Sequence, residues 1–229
     1  MVASRLVRIA ASLAAPPRCG ICGGGCDWRR PACARCAAAL GAVEPVRRAL
    51  PGFDAVVGAG PYAGVLRDLV AGLKFGRRHA LAPLAAEALA RAIADPPEGA
   101  VVVPVPPAPR RWRRRGFDSA DWVAGALARE LGLPISRCLV RPSGRRQVGR
   151  ARAERLARPP QVRCADPPPR GALLVDDVLT TGATLAASAR ALRGAGSVEI
   201  AAAVVAIAAP GGRGAPRTPA PTGPRPGDH

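Results

Sequence analysis

Residues 173–184 read LLVDDVLTTGAT, an aliphatic run followed by two adjacent carboxylates and a turn rich in hydroxyls. The stability of a buried strand does not call for paired aspartates at its end, so Asp176 and Asp177 point to chemistry. At the carboxyl end of a strand in an open α/β sheet, where ligands bind, they can accept hydrogen bonds from vicinal hydroxyls such as those of a ribose. The next residues, Thr180, Thr181, Gly182, Ala183 and Thr184, turn into a helix whose free N–H groups and dipole favour an anion. Gly182 permits a tight turn and close approach by a phosphate. Sugar contacts beside a phosphate cradle describe a ribose 5-phosphate site. No GxxxxGK[ST] string is present, so the cradle is not a P-loop. A helix cap alone would need one Asp rather than the whole string.

The second constellation is cysteine. Cys19-x2-Cys22 and Cys33-x2-Cys36 form two knuckles separated by ten residues. Two such pairs offer four thiolates to one Zn²⁺, a closed tetrahedral site that organises the chain rather than performing chemistry. Cys26 is a spare thiol and leaves open which four are used. Cys138 and Cys164 stand alone and read as ordinary buried thiols.

Those groups must be positioned by regular elements. FDAVVGA and VVVPVP read as strands, the latter stopped by prolines. AGVLRDLVAGLKF is an amphipathic helix with Val65, Leu66, Leu69, Val70 and Leu73 on one face. ALAPLAAEALARAIA is a second helix, and DSADWVAGALAREL a third, capped by Asp118 and stopped at Gly132. ALLVDD, ATLAASARALRGAG and SVEIAAAVVAIA complete the pattern as strand, helix and strand, while residues 141–170 read as a long loop. Strands alternating with helices imply a parallel sheet covered on both faces. The chain divides into an N-terminal helix and four-cysteine module over residues 1–45, an α/β domain over 50–209, and a tail over 210–229 disordered by composition.

Composition sets limits on partners. The formal net charge is +18, but 33 of the 34 basic residues are Arg and one is Lys, which together with abundant Ala, Gly and Pro looks like the codon bias of a high-GC genome. The charge attracts phosphates, whereas seven aromatic residues are few for a protein that binds single strands by base stacking. No run approaches the length of a membrane span. The opening MVASRLVRIAASLAAPPRC has Arg8 inside its apolar stretch and metal-type cysteines after it, so it reads as a short amphipathic helix rather than a signal peptide. A cytoplasmic protein is expected.

LLVDDVLTTGAT resembles the phosphoribosyl-pyrophosphate (PRPP) binding motif of type I phosphoribosyltransferases. More of the chain resembles one group within them, the ComF family: the cysteine knuckles, Tyr62, LKFG at 73–76, VVVPVP at 101–106, RRRGFDSA at 113–120, then Arg141, Gln147 and Arg155. The resemblance spans roughly residues 6–208. It implies a type I phosphoribosyltransferase fold, a parallel sheet flanked by helices, with a small N-terminal zinc ribbon. It also implies Mg²⁺·PRPP as ligand and a link to DNA uptake in natural competence. Two places depart from the family: an amide usually follows RGF, where this chain has Asp118, and a basic residue, Arg158, stands near the place of a usual Asn.

By the same resemblance, the loop Pro104-Val105-Pro106 would hold pyrophosphate on a backbone preset by prolines, with room for a cis bond. Arg115, which begins the RGF match, and its neighbours Arg110, Arg111, Arg113 and Arg114 would clamp the leaving group or form a solvated basic loop. Residues 141–158 resemble a mobile lid, with a basic segment that touches DNA as the other reading. Lys74, the single lysine, suggests a phosphate contact or a plain surface residue. GAGPYAG at 58–64 has the wrong spacing for a dinucleotide fingerprint, and the isolated His79 and His229 do not support histidine catalysis. Two functions stay open. One is transfer of a phosphoribosyl group to an acceptor that no segment announces. The other is a PRPP-fold adaptor serving single-stranded DNA or a DNA-uptake protein. A plain zinc-ribbon nucleic-acid binder does not explain the DD–TTGAT string.

Overall fold

The computed structural model describes residues 17–76, 78–109, 112–113, 116–142 and 160–209. The expected N-terminal helix, the tail, Arg110, Arg111, Arg114, Arg115, Gln147, Arg155 and Arg158 lie outside the described residues.

After the cysteine knuckles come α1 (Ala34–Gly41), β1 (Val46–Arg47), β2 (Ala55–Gly58), α2 (Gly64–Phe75) and a 3-10 turn at His79–Leu81. Then follow α3 (Ala82–Ala92), β3 (Ala100–Pro104), α4 (Ser119–Leu131), β4 (Leu139–Val140), β5 (Arg163–Cys164), β6 (Gly171–Leu179), α5 (Ala183–Ala195) and β7 (Glu199–Ile207). Five strands form one sheet in the order β1-β2-β7-β6-β3, parallel except for β1, which pairs antiparallel with β2 at one edge. A separate β4–β5 hairpin pairs Leu139 with Cys164. It brings together the two ends of the segment expected to be a lid, and places a strand inside what the sequence presents as one long loop.

Both faces of the sheet are buried, which is why its strands read as continuous aliphatic runs. Successive side chains alternate between faces. Leu173 and Val175 join a cluster with Leu66, Leu69 and Leu73 of α2, Leu89 of α3 and Leu127 of α4. Ala172 and Leu174 face the other way, toward Leu185, Ala189 and Leu192 of α5. Each fully buried Leu contributes about 1.5–3 kcal/mol through apolar area removed from water.

The cysteine module is part of the first cluster, through Cys19, Ile21, Cys36 and Leu40. Its closest approach is backbone on backbone. A Cβ on Gly72 of α2 would sit 2.7 Å from the Gly20 carbonyl oxygen, and one on Gly20 would sit 2.8 Å from Leu81 Cδ2. Only glycines allow that contact. Arg78 then donates to the Gly20 carbonyl at 2.6 Å. The module thus braces the helix that carries Lys74.

Two expectations need adjustment. The strand bearing the carboxylates continues through Leu179, so Asp176 and Asp177 lie within β6 and the turn starts after it. Asp176 is in register with Val204 of β7, because the β6–β7 ladder persists to Leu179↔Ile207. The proline loop, second, has no cis peptide bond among the described residues. Pro104 ends β3 in register with Val175, and the next N–H, from Val105, donates to the Val175 carbonyl at 2.9 Å. Pro104 is tolerated because β3 is an edge strand.

Candidate active site

The carboxylates of β6 meet side chains from two other elements. Lys74, in the last turn of α2, reaches Asp177 Oδ1 at 2.8 Å, with only 16% and 13% of the two side chains exposed. Ser119, the first residue of α4, donates to Asp177 Oδ2 at 2.8 Å. Asp177 is therefore held at both oxygens, as an anion beside a cation. The Lys74 ammonium thus has a carboxylate as its partner rather than open solvent. Ser119 escaped the sequence reading because a Ser after a helix cap is a common cap neighbour, and only the tertiary fold turns it toward β6.

Asp176 has another environment. Its Oδ1 accepts from the Asp177 N–H at 2.7 Å. Burial, and then the negative charge of Asp177, push its carboxyl well above the usual range, with Lys74 opposing the shift. Asp118 is the third acid. Its Oδ1 caps α4 by accepting from Ala120 N–H at 3.1 Å, as its N-cap position predicts. Burial, followed by the charges of Asp177 and Asp121, pushes it up to about 7.

Gly182 opens α5 with φ +74°, the left-handed conformation that favours glycine. Thr181 Oγ1 accepts from Ala183 N–H at 3.4 Å, and Thr180, Thr181 and Ala183 are exposed. The turn therefore keeps N–H groups and hydroxyls toward solvent at a helix N-terminus, the arrangement that favours an anion. A cavity of about 60 Å³ is lined by Thr184, Asp176, Asp177, Asp118, Ser119, Arg141 and the Val105–Ala108 loop. It brings together the carboxylates, the end of the threonine turn, the proline loop and the start of the lid segment. A wider groove of about 750 Å³ adjoins it, lined by Arg113 and Arg141 among others.

The sulfur atoms of Cys19, Cys22, Cys33 and Cys36 all lie within 4.8 Å of one another, and the Cys22–Cys33 pair is 3.9 Å apart. Four sulfurs about 2.3 Å from one Zn²⁺ stand about 3.8 Å apart, so the cluster has room for the ion and could bind it. Burial works against ionising Cys19, but hydrogen bonds from the N–H groups of Cys22, Cys33 and Ile21 outweigh it and bring the thiol to about 6. Burial and the neighbouring thiols push Cys36 the other way. Four thiolates so close together would repel one another, a repulsion that a bound cation would relieve. Cys26 stands outside the four and donates to the Arg30 carbonyl at 3.3 Å. Cys138 is fully buried and Cys164 partly so. They stand near each other across the β4–β5 hairpin rather than isolated.

For magnesium, Asp176 and Asp177 supply hard oxygen donors at the cavity. They fit an ion that takes one or two carboxylates and completes its shell with substrate oxygens. No helix among the described residues is long and apolar enough to cross a membrane.

Comparison with known proteins adds one match. The phosphoribosyl transferase domain family covers residues 121–225, somewhat less than half of the chain, beginning in α4 and including β6, the threonine turn, α5 and β7. No curated protein matches the chain. The mostly parallel sheet, with the carboxylates toward its carboxyl edge, and this match together support a phosphoribosyltransferase-like α/β fold with a four-cysteine module packed against it.

Proposed function

We propose that the chain binds Mg²⁺·PRPP and transfers its phosphoribosyl group to an acceptor with release of pyrophosphate. The 5-phosphate sits on Thr180–Thr184 and the ribose hydroxyls on Asp176 and Asp177. The observation that carries this reading is the single cavity lined by both carboxylates, Thr184, the proline loop and Arg141. Asp177, anchored by Lys74 and Ser119, keeps a fixed orientation for a hydroxyl donor, so positioning and charge stabilisation supply the catalysis. Magnesium, when bound with the substrate, neutralises the charge that builds on the leaving pyrophosphate. Pro104 and Val105 flank the pyrophosphate, while Arg115, Gln147 and Arg155 remain lid and clamp residues by resemblance to the ComF family. That resemblance also supports a cytoplasmic role linked to DNA uptake.

Calorimetric titration of Mg²⁺·PRPP into the zinc-loaded protein tests the reading. Saturable binding is expected, weakened at least about tenfold, or about 1.4 kcal/mol, by Asp176→Asn together with Asp177→Asn. A folded wild-type protein that takes up no PRPP sinks it.

A second reading, an adaptor that binds PRPP without turnover and contacts single-stranded DNA, draws on the cysteine module. There Trp28 is 50% exposed, with the Arg29 guanidinium 4.9 Å from its ring centre. Such a pair offers a stacking face and a positive charge to a strand. Tight PRPP binding with no pyrophosphate release on any acceptor favours it.

A further inference from the structure

The β4–β5 hairpin brings together two thiols that the sequence presents as isolated. Leu139 of β4 is in register with Cys164 of β5, and the Ala165 N–H donates to the Cys138 carbonyl at 2.7 Å. Cys138 and Cys164 are therefore diagonal neighbours across the ladder. Strand spacing and rise put such neighbours about 6 Å apart at Cα, inside the range that a disulfide spans. We propose that Cys138 and Cys164 are a redox modification site, a dithiol that closes to a disulfide by exchange with a small-molecule disulfide and thereby fixes Arg141 at the mouth of the carboxylate cavity. The effect on PRPP binding rests on the function proposed above; the thiol chemistry stands apart from it.

Contact is the first ground. Successive side chains of a regular strand point to opposite faces, but this ladder ends at Cys164, and both residues pack in one apolar cluster. Cys138 is 0% exposed in a cluster with Val103, Leu139, Leu174 and Leu185, and Cys164 packs against it. There the Cys164 thiol is within hydrogen-bonding reach of the Cys138 thiol, and it donates to the Asp166 carbonyl at 3.1 Å. Leverage is the second ground. With two residues in each strand, the pairing is one that opens readily. Arg141 follows β4 directly and lines both the carboxylate cavity and the wider groove. Helix α5, whose first turn carries Thr184, packs against both β4 and β5. A bond one residue before β4 replaces a weak pairing with a covalent one and holds Val140 and Arg141 against that helix.

The order of events follows from exposure. Cys164 is partly exposed and meets the small disulfide first, whereas Cys138 is buried. The Cys164 thiol gives its proton to solvent, and the thiolate attacks one sulfur of the reagent, whose S–S bond breaks and releases a small thiolate. Cys138, losing its proton in turn, attacks the Cys164 sulfur and expels the second small thiolate. The protein loses two thiols and the reagent is reduced to two, so atoms and electrons balance. Burial, and then the neighbouring Cys138 thiol, push Cys164 up to about 11, so little thiolate stands ready and exchange is slow. The same cost opposes release of that thiolate when the bond is reduced, which makes a closed bond persist. In a reducing compartment such a pair is kept as thiols and closes on oxidation.

The test uses the full-length, zinc-loaded chain equilibrated in reduced or oxidised glutathione. Peptide mapping by mass spectrometry is expected to find Cys138 joined to Cys164 in the oxidised sample, with zinc content unchanged. Tm should rise by at least about 5 °C on oxidation, and exchange of the Ala165 amide should slow at least about tenfold. Cys138→Ala and Cys164→Ser should each abolish both responses while keeping zinc. Calorimetric affinity for Mg²⁺·PRPP should tighten about threefold on oxidation of the wild type, because Arg141 is held in place beforehand, and stay level in the variants. Absence of the 138–164 link, whether the thiols stay reduced or carry glutathione, overturns the dithiol. So does a link formed only after zinc is lost, or a response that survives in either variant. A link that neither slows exchange at Ala165 nor changes PRPP affinity overturns the anchoring of Arg141. Failure of PRPP to bind either form defeats the transfer reading instead, and mapping and exchange then decide the dithiol alone.

Discussion

The cysteine cluster and the aspartate cluster solve the same electrostatic problem in opposite ways. Each crowds acidic groups together, four thiols in one case and the carboxyls of Asp118, Asp176 and Asp177 in the other. The thiols come from a short stretch of chain, leave no open position, and call for an external cation at their centre. The carboxylates come from the start of α4 and from β6 and, among the described residues, carry an internal cation, Lys74 of α2, on one member only. The other two stay raised in pKa, beside a cavity. A closed cluster builds structure; a partly compensated one, open to ligand, is suited to chemistry.

Breaking the closed cluster should have the largest effect. Cys36→Ser, or removal of metal by a chelator, is expected to lower Tm by more than about 10 °C, because binding free energy at such sites is folding free energy. Zinc content and thermal melting measure it together. PRPP affinity should fall as well, since Gly20 of the module braces Gly72 on the Lys74 helix. A chelated protein that melts unchanged would show the module to be independent of metal.

Removing the internal cation comes next. Lys74→Met leaves Asp177 buried without its partner, a loss of about 3 kcal/mol or about 6–12 °C in Tm. Adding Asp177→Asn should recover part of that loss, and the thermodynamic cycle gives the coupling. Additive losses would mean that the 2.8 Å pair contributes nothing.

A smaller and opposite effect is expected at Asp118. Its folded value is raised from 3.8 to about 7, so the native state holds a proton that the unfolded chain has released between those values. Its contribution to stability is present below about pH 4 and is lost as pH rises through about 7. Asp118→Asn carries no such loss. The variant should melt about 2–4 °C above wild type at pH 8 and about level with it at pH 4, by scanning calorimetry. The Asn variant would then be the more stable protein above neutrality. A constant difference across pH would remove the raised carboxyl from the comparison.

The smallest change should follow Cys26→Ser. This thiol donates to Arg30 outside the cluster, so zinc stoichiometry should not change and Tm should move by less than about 2 °C. Loss of metal would return Cys26 to the candidate ligands.

Legibility in the sequence followed the range of the interaction. Cys19, Cys22, Cys33 and Cys36 could be named from spacing because a CxxC knuckle is local geometry. Asp118 as the cap of α4 and Gly132 as its left-handed stop were equally local. The extra length of β6 was not, because it depends on β7 continuing the ladder beside it. The short β4–β5 pairing was hidden as well, since two-residue strands have no periodicity to read.

The chain by itself determined which residues were able to do chemistry: two adjacent carboxylates, a threonine turn with glycine at its bend, and four cysteines at metal spacing. Those follow from local covalent geometry and from hydrophobic period. Tertiary structure alone decided what surrounds them. It put Lys74 and Ser119 on Asp177, gave Asp118 and Asp176 no ion pair among the described residues, and set the Phe117–Trp122 stack beside the cavity that these carboxylates line. The physical reason is that charge, burial and cavity shape arise between elements distant in sequence, and no spacing rule reaches that far.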